Sequence, residues 1–102
     1  MFDTWGGRGE FDYEGDLQQG TTIIYGRGRR LVINSQQYRQ LLTEFAGRTI
    51  PVTPSRTDAG AGSLEGWLNQ NVTRTAIASY VAPILILEGA ATRTEGGIQF
   101  NR

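Results

Sequence analysis

The segment TRTAIASYVAPILILEG, at residues 73–89, constrains the fold of this chain more than any other segment. Its apolar residues repeat at helical spacing, at Ile77, Tyr80, Val81, Ile84 and Leu85. This repeat predicts a helix that begins at Asn71 or Thr73 and stops at Gly89. Because its second half is apolar on every side, such a helix is buried, either in the core of its own chain or in part against another subunit.

Pro83 interrupts this helical pattern, because a proline in a helix interior removes one hydrogen bond and clashes with the preceding turn. We expect the helix to kink at this position. An alternative is that the helix ends near Tyr80 and that Val81–Leu87 forms a buried strand. Periodicity alone does not distinguish a short buried strand from a buried helix, so both remain open at this point.

The length of 102 residues allows one domain, since a second would have too little chain for a core of its own. Leu, Ile, Val and Phe provide 24 residues, which is typical of a folded chain. The sequence has neither cysteine nor histidine, which excludes disulfides, Cys-based zinc sites, thiol nucleophiles and imidazole chemistry. No stretch is apolar enough to cross a bilayer and no secretion leader opens the sequence, so we expect a cytoplasmic protein without a membrane partner.

The first twenty residues differ from the rest in composition, with five glycines and a net charge of −4. We interpret residues 1–20 as an N-terminal arm that precedes a single domain at residues 21–102. Glycine-rich acidic sequence is usually flexible, so an arm that packs needs anchors. The candidate anchors are four aromatic residues, namely Phe2, Trp5, Phe11 and Tyr13. We expect them to pack on the arm's own domain or on a neighbouring subunit.

Two β-hairpins are predicted from short runs that flank glycine-containing turns. Thr21–Gly26 and Arg29–Asn34 form the first, and the first of these runs is rich in β-branched residues. Ala91–Thr94 and Ile98–Phe100 form the second. The predicted fold is therefore a single α+β domain, with two hairpins and short edge strands packed on two or three helices.

Helix signals and one short strand separate the two hairpins. A helix capped by Ser35 ends before Gly47, and its buried stripe is Tyr38, Leu41, Leu42 and Phe45. The alternation at Arg48–Thr53 predicts a short strand, which Pro51 confines to a sheet edge or whose beginning it marks. Ser63 caps a short helix. The predicted core comprises Ile23, Leu31, Ile33, Tyr38, Leu41, Leu42, Phe45, Trp67, Leu68, Ile77, Val81 and Ile84.

The charges are unevenly placed, although the whole chain has a formal net charge of zero. Residues 21–56 carry a net charge of +5, and Arg27, Arg29 and Arg30 lie at the tip of the first hairpin. Guanidinium groups in this arrangement can bind phosphates of a nucleic acid or a carboxylate of a partner. A turn of this kind is more often solvated, or covered by the acidic arm, and we prefer that interpretation.

The sequence contains no residue pattern that indicates catalysis, so we expect neither an enzyme nor a cofactor. Asp12, Glu14 and Asp16 alternate as at the start of a calcium loop, but the remaining ligands are missing, so we expect no metal. The stretch at residues 59–63 precedes a helix N-terminus, which attracts anions, yet it lacks the lysine and the spacing of a phosphate-binding loop.

Two resemblances extend over the C-terminal part of the chain. SLEGWLNQNVTRTAIASYVAPILILEGAATRTEGGIQF, at residues 63–100, resembles a winged helix in its order of two helices and a glycine-tipped hairpin. It departs from that pattern because the second helix lacks a basic outward face. GSLEGWLNQNVTRTAIASYVAPILILEGAATR, with the hairpin and helix before it, resembles small uncharacterised bacterial proteins of mobile gene cassettes such as integrons, over residues 20–95. That resemblance implies no particular function.

The favoured hypothesis is a non-catalytic binding or assembly module that forms a homodimer or a higher symmetric oligomer. Its contacts would come from the apolar helix and the arm, through Phe2, Trp5, Phe11, Tyr13, Val81, Ile84 and Leu85. The second hypothesis is a DNA-binding protein of the winged-helix kind. Its contacts would come from Arg27, Arg29, Arg30, Arg74 and Arg93, with Thr75 and Ser79. The third is a small-ligand pocket lined by Tyr38, Trp67 and Tyr80.

Overall fold

A computed structural model describes residues 1–52, 62–95 and 97–101. Its elements are β1 (Phe2–Asp3), β2 (Glu10–Asp16), β3 (Gly20–Tyr25), β4 (Arg29–Asn34), α1 (Ser35–Glu44), β5 (Thr49–Ile50), α2 (Leu64–Asn71), α3 (Ala78–Leu87), β6 (Ala91–Thr94) and β7 (Gly97–Phe100). Within these residues three helices share one hydrophobic core with two sheets. The predicted α+β class is confirmed.

The larger sheet is antiparallel throughout and has the strand order β1-β2-β3-β4. The predicted first hairpin is its β3–β4 half, in which Ile23 lies opposite Leu31. Gly26 and Gly28 in the connecting turn have φ values of 60° and 83°, a region that glycine adopts without strain. Residues 1–20 supply β1 and β2, and Phe11 lies opposite Tyr25 in the β2–β3 ladder.

The smaller sheet is also antiparallel and has the strand order β5-β7-β6. Its β6–β7 pair is the predicted second hairpin. The strand predicted at Arg48–Thr53 is shorter in the structure, where β5 covers Thr49–Ile50 and Thr53 lies outside the described residues. A Cβ atom on Gly97 would collide with the carbonyl oxygen of Ile50, so the two strands meet without room for a side chain there.

The starts of α1 and α2 are set by polar side chains that accept backbone hydrogen bonds. The N-cap of α1 is Asn34, and the prediction of Ser35 was wrong by one residue. Asn34 Oδ1 accepts from the N–H of Gln37 at 2.8 Å, and Gln37 Oε1 accepts from the N–H of Asn34 at 2.9 Å. This reciprocal pair is a capping box. The predicted N-cap of α2 is confirmed, since Ser63 Oγ accepts from the N–H of Gly66 at 3.0 Å.

The apolar segment forms one helix, α3, which begins at Ala78 and not at residue 71 or 73. The predicted start of the helix was too early. The helix starts next to Ile77, whose N–H donates a hydrogen bond of 3.1 Å to the Glu65 side chain of α2. The alternative of a strand at Val81–Leu87 is excluded, and Pro83 lies inside the helix. Because Pro83 has no N–H, it cannot donate to the carbonyl of Ser79. That carbonyl accepts instead from the N–H of Trp5 at 2.8 Å.

The core is centred on α3, which contacts both sheets. On one side the Tyr80 ring lies 5.5 Å from the ring of Phe11 and 5.0 Å from that of Tyr25, and on the other side α3 packs against β6. The predicted core residues that are buried are Ile23, Ile33, Tyr38, Leu41, Phe45, Leu68, Ile77, Val81 and Ile84. The other three, Leu31, Leu42 and Trp67, are half-buried against this core. Buried residues absent from the prediction include Phe11, Ile50, Val52, Leu64, Leu85, Ile98 and Phe100.

Candidate functional site

An apolar cleft of about 310 Å³ lies where the N-terminal strands meet the C-terminal half of α3. Its lining residues are Phe2, Asp3, Thr4, Trp5, Pro83, Ile86, Leu87 and Arg93. Leu87 is 53% exposed and is one of the large apolar side chains of the described chain that reach solvent. Exposed apolar surface beside a cleft is typical of a site that binds a partner or a ligand.

Backbone hydrogen bonds in the β1–β2 connection hold the aromatic wall of the cleft in place. The N–H of Thr4 donates to the carbonyl of Gly9 at 3.0 Å, and the N–H of Gly7 donates to the carbonyl of Thr4 at 2.9 Å. The bond from Trp5 to the carbonyl of Ser79 then joins this turn to α3. The cleft therefore has one wall from residues 2–5 and one from the helix.

One cation and one anion lie at the cleft, from two different elements. The Arg93 guanidinium lies 4.1 Å from the centroid of the Trp5 ring, and its Nη2 donates to the Trp5 carbonyl at 3.4 Å. Such a stacked geometry stabilises the cation by its interaction with the ring. Asp3, in β1, is exposed. Within the described residues neither Arg93 nor Asp3 forms an ion pair.

The residues that the sequence assigned to self-association fall into a half-buried group and a fully buried group in the structure. Phe2 and Trp5 are half-buried and line the cleft, and Tyr13 is half-buried in β2. The remaining four, Phe11, Val81, Ile84 and Leu85, are at most 2% exposed and pack in the core of their own chain. The exposed part of α3 is instead Leu87, which sequence reasoning missed. It lies outside the helical stripe of buried residues, and that offset is the signal that could have found it.

The arginines assigned to nucleic-acid contact lie in three places. Arg27, Arg29 and Arg30 are exposed at the β3–β4 turn. Arg74 is exposed in the segment before α3, and Arg93 is stacked on Trp5 at the cleft. Residues 63–100 have the helix, helix and hairpin order of a winged helix. The residues of α3 that are not buried are Ser79, Tyr80, Pro83, Ile86 and Leu87, so this helix presents no basic face to a DNA groove.

The three aromatic residues assigned to a ligand pocket do not face a common cavity. The hydroxyl of Tyr38 is buried against Thr21, with an oxygen–oxygen distance of 2.6 Å. The Tyr80 ring packs between two other rings of the core. Trp67 lines a shallow depression with Arg39 and Asn71. Burial raises the pKa of Tyr38 from its usual 10.0 to about 12, and the hydrogen bond to Thr21 opposes this effect.

Two of the acidic residues of β2, Asp12 and Asp16, have local partners. Asp12 lies 3.1 Å from the amino group of Met1, and Asp16 accepts from the N–H groups of Gln18 and Gln19 at 3.0 and 2.8 Å. Within the described chain no group of three carboxylates could hold a metal ion. The anion-binding stretch considered at residues 59–63 lies mostly outside the described residues, which omit 53–61.

Two carboxylates that the sequence did not single out are placed at the two ends of α3. Glu65 is 8% exposed, and its bond to the N–H of Ile77 caps the start of the helix. Burial raises the pKa of Glu65, and the backbone hydrogen bonds from Ile77 and Ala78 oppose this effect. At the other end Glu88 Oε2 accepts from the hydroxyl of Tyr13 at 2.7 Å. Burial and this bond raise the pKa of Tyr13 to about 12.

Comparison with protein families, with curated proteins and with solved structures finds no match for this chain. Across the described ranges no helix has both the length and the apolar character that a bilayer crossing requires.

Proposed function

We propose that this protein is a non-catalytic assembly module that forms a homodimer through the cleft face. Phe2 of β1, Trp5 of the β1–β2 connection and Leu87 of α3 would provide the contacts. The observation that supports this most directly is the 53% exposure of Leu87 at the edge of an apolar cleft. A second copy that covers this side chain removes apolar surface from water, which favours association. The cytoplasm remains the expected compartment.

The charges of the cleft face support pairing with a second copy in particular. A twofold interface places the same patch on both subunits, so the patch must be complementary to itself. Asp3 and Arg93 line the same cleft, carry opposite charges and lack ion-pair partners among the described residues. In a twofold dimer Asp3 of each copy would face Arg93 of the other, which gives two equivalent ion pairs.

The first experiment is the solution mass by light scattering at micromolar to millimolar concentration. The wild-type chain should have twice the mass of one chain, and Leu87→Glu should be monomeric because it buries a charge in the interface. Val32→Glu is the matched control, since Val32 is 65% exposed on β4 and lies outside the cleft lining. A wild-type monomer over the whole range, or equal dissociation by both variants, would refute the proposal.

A charge exchange tests the orientation of the two copies. Arg93→Asp and Asp3→Arg should each weaken the dimer, because each places like charges opposite one another. The double variant should restore the dimer, since it exchanges the two partners of the same pair. A double variant that is weaker than both single variants would show that the two residues do not meet across the interface.

A further inference from the structure

We propose that the free edge of β4 binds an extended acidic segment of another protein as a fifth strand of the larger sheet. β4 is the last strand in the order β1-β2-β3-β4, and among the described residues its only ladder partner is β3. An edge strand of this kind has unpaired backbone N–H and C=O groups along its outer side. An extended peptide can satisfy these groups by adding a strand, which is a common mode of peptide recognition.

The charges along this edge select the partner. Arg29 and Arg30 lie in β4 and Arg27 in the adjoining turn, and all three are exposed. β4 contains no acidic residue, and the first turn of α1, which follows it directly, contains none. Within the described chain these arginines form no ion pair. A strand that carries carboxylates beside them would therefore be attracted, and a basic strand would be repelled.

The apolar side chains of β4 also favour apolar residues in the partner strand. Val32 is 65% exposed, and it lies opposite Thr22 on the face of the sheet away from the buried Ile33. Leu31, on the inner face, is only half-buried. Directly opposed residues on adjacent strands pack their side chains, so an added strand would cover both. The fitting segment therefore combines acidic and apolar residues.

A second copy of this chain is a poorer occupant of the edge. Pairing of β4 with β4 would bring two more arginines to this edge and no carboxylate, so Arg29 and Arg30 would gain no partner of opposite charge. The acidic strand of the chain, β2, is already paired with β1 and β3. The proposal does not depend on the dimer at the cleft, because the two surfaces share no residue.

The test uses the full chain labelled with ¹⁵N and three blocked synthetic peptides. The first repeats the unit Val-Val-Glu-Glu, so that glutamates can lie opposite Arg29 and Arg30 and valines opposite Leu31 and Val32. The second has lysine in place of glutamate, and the third has the sequence of the first with a central proline. The glutamate peptide should bind and shift the amide resonances of residues 29–34. The lysine peptide should not bind, and the proline peptide should bind weakly because proline cannot complete the ladder.

Variants then test the role of the charges. Replacement of both Arg29 and Arg30 by glutamine should weaken binding of the glutamate peptide by about three- to twentyfold, as expected for two exposed ion pairs. Arg48→Gln is the matched control, because Arg48 is exposed and directly precedes β5 of the smaller sheet, and this variant should bind the peptide as wild type does. The proposal is wrong if the proline peptide binds equally well, if the shifts lie elsewhere, if no peptide binds, or if only a duplex DNA oligonucleotide binds at this edge.

Discussion

The backbone N–H of Trp5 donates a hydrogen bond of 2.8 Å to the carbonyl oxygen of Ser79. In a helix without proline, that carbonyl would accept from the N–H of residue 83. Pro83 has no N–H, so the β1–β2 connection supplies the missing donor from outside the helix. The proline that interrupts the helical pattern thus creates the acceptor by which the N-terminal segment attaches to α3.

This relationship predicts how the amide of Trp5 exchanges with solvent. The Trp5 amide should be protected although it lies in a turn, and Pro83→Ala should lower its protection by about two- to fivefold, the effect of one competing hydrogen bond. Hydrogen exchange followed by NMR measures both. Pro51→Ala is the control and should leave the Trp5 amide unchanged. Exchange of the wild-type Trp5 amide at the rate of an unstructured peptide would contradict the expectation.

Removal of the Glu65 carboxylate should destabilise the protein. Glu65→Leu leaves the buried N–H of Ile77 without its acceptor at 3.1 Å, and we expect a loss of about 1–3 kcal/mol in the free energy of unfolding. Glu65→Gln keeps a carbonyl oxygen as acceptor and should retain most of the stability. Chemical denaturation of the three proteins at neutral pH measures the difference, and equal losses for Leu and Gln would argue against the capping role.

The same side chain should make stability depend on pH. The pKa of Glu65 is raised in the folded protein above its usual 4.5, so the fold binds this proton more tightly than the unfolded chain does. The resulting stability is complete below pH 4.5 and is lost as pH rises through the folded pKa. Glu65→Gln has no such proton. The difference in stability between wild type and Glu65→Gln should therefore shift in favour of the variant as pH rises from 4 to neutral.

Tyr38 should make the fold sensitive to alkaline pH. Its pKa rises from 10.0 to about 12 on folding, so the stability due to the proton is complete below pH 10 and is lost as pH rises toward 12. The loss over this range should be about 2 kcal/mol. The Tyr38→Phe variant should show no such loss at alkaline pH. At neutral pH its free energy of unfolding should be about 1 kcal/mol lower than that of wild type, because the buried Thr21 hydroxyl loses its hydrogen-bond partner. Urea denaturation at several pH values compares the two proteins.

A methyl group at Gly97 should be costly although this residue has no positive φ. The added Cβ would collide with the carbonyl oxygen of Ile50, which is a backbone atom and cannot rotate away as a side chain could. We expect Gly97→Ala to lower the free energy of unfolding by about 1–3 kcal/mol. Gly6→Ala is the matched control, because a Cβ there meets nothing within 4 Å, and should stay within about 0.5 kcal/mol of wild type. Thermal unfolding of wild type and of both variants measures the change in the free energy of unfolding.

The sequence predicts those parts of the fold whose signals are local. Both hairpins and α1 are found within one or two residues of their bounds, because β-branched runs, glycine turns and one apolar stripe are sufficient. The alternation of Phe11 and Tyr13 with acidic residues was such a signal for β2, but the glycines around it made the segment resemble a tail. The start of α3 could not be found locally, because Glu65, which caps it, belongs to another helix.

The candidate site was predicted only in part, for a related reason. The sequence indicates Phe2 and Trp5 as aromatic anchors, on their own domain or on a neighbouring subunit, and the structure places both at the cleft. The cleft also needs Asp3, Leu87 and Arg93, which come from three elements that no sequence pattern links. Only the register of the sheets and the position of α3 bring these three side chains together.

The bond between Trp5 and Ser79 also sets when the N-terminal segment can dock during synthesis on the ribosome. Ser79 is synthesised 74 residues after Trp5, an interval of roughly 4 to 15 s at the usual rate of translation. During this time the Trp5 amide lacks its acceptor on α3, and the face of Phe2 and Trp5 that lines the cleft remains available to other nascent chains and to chaperones. Substitutions that slow the docking of α3 should therefore reduce the yield of protein in cells before they reduce its stability in the test tube.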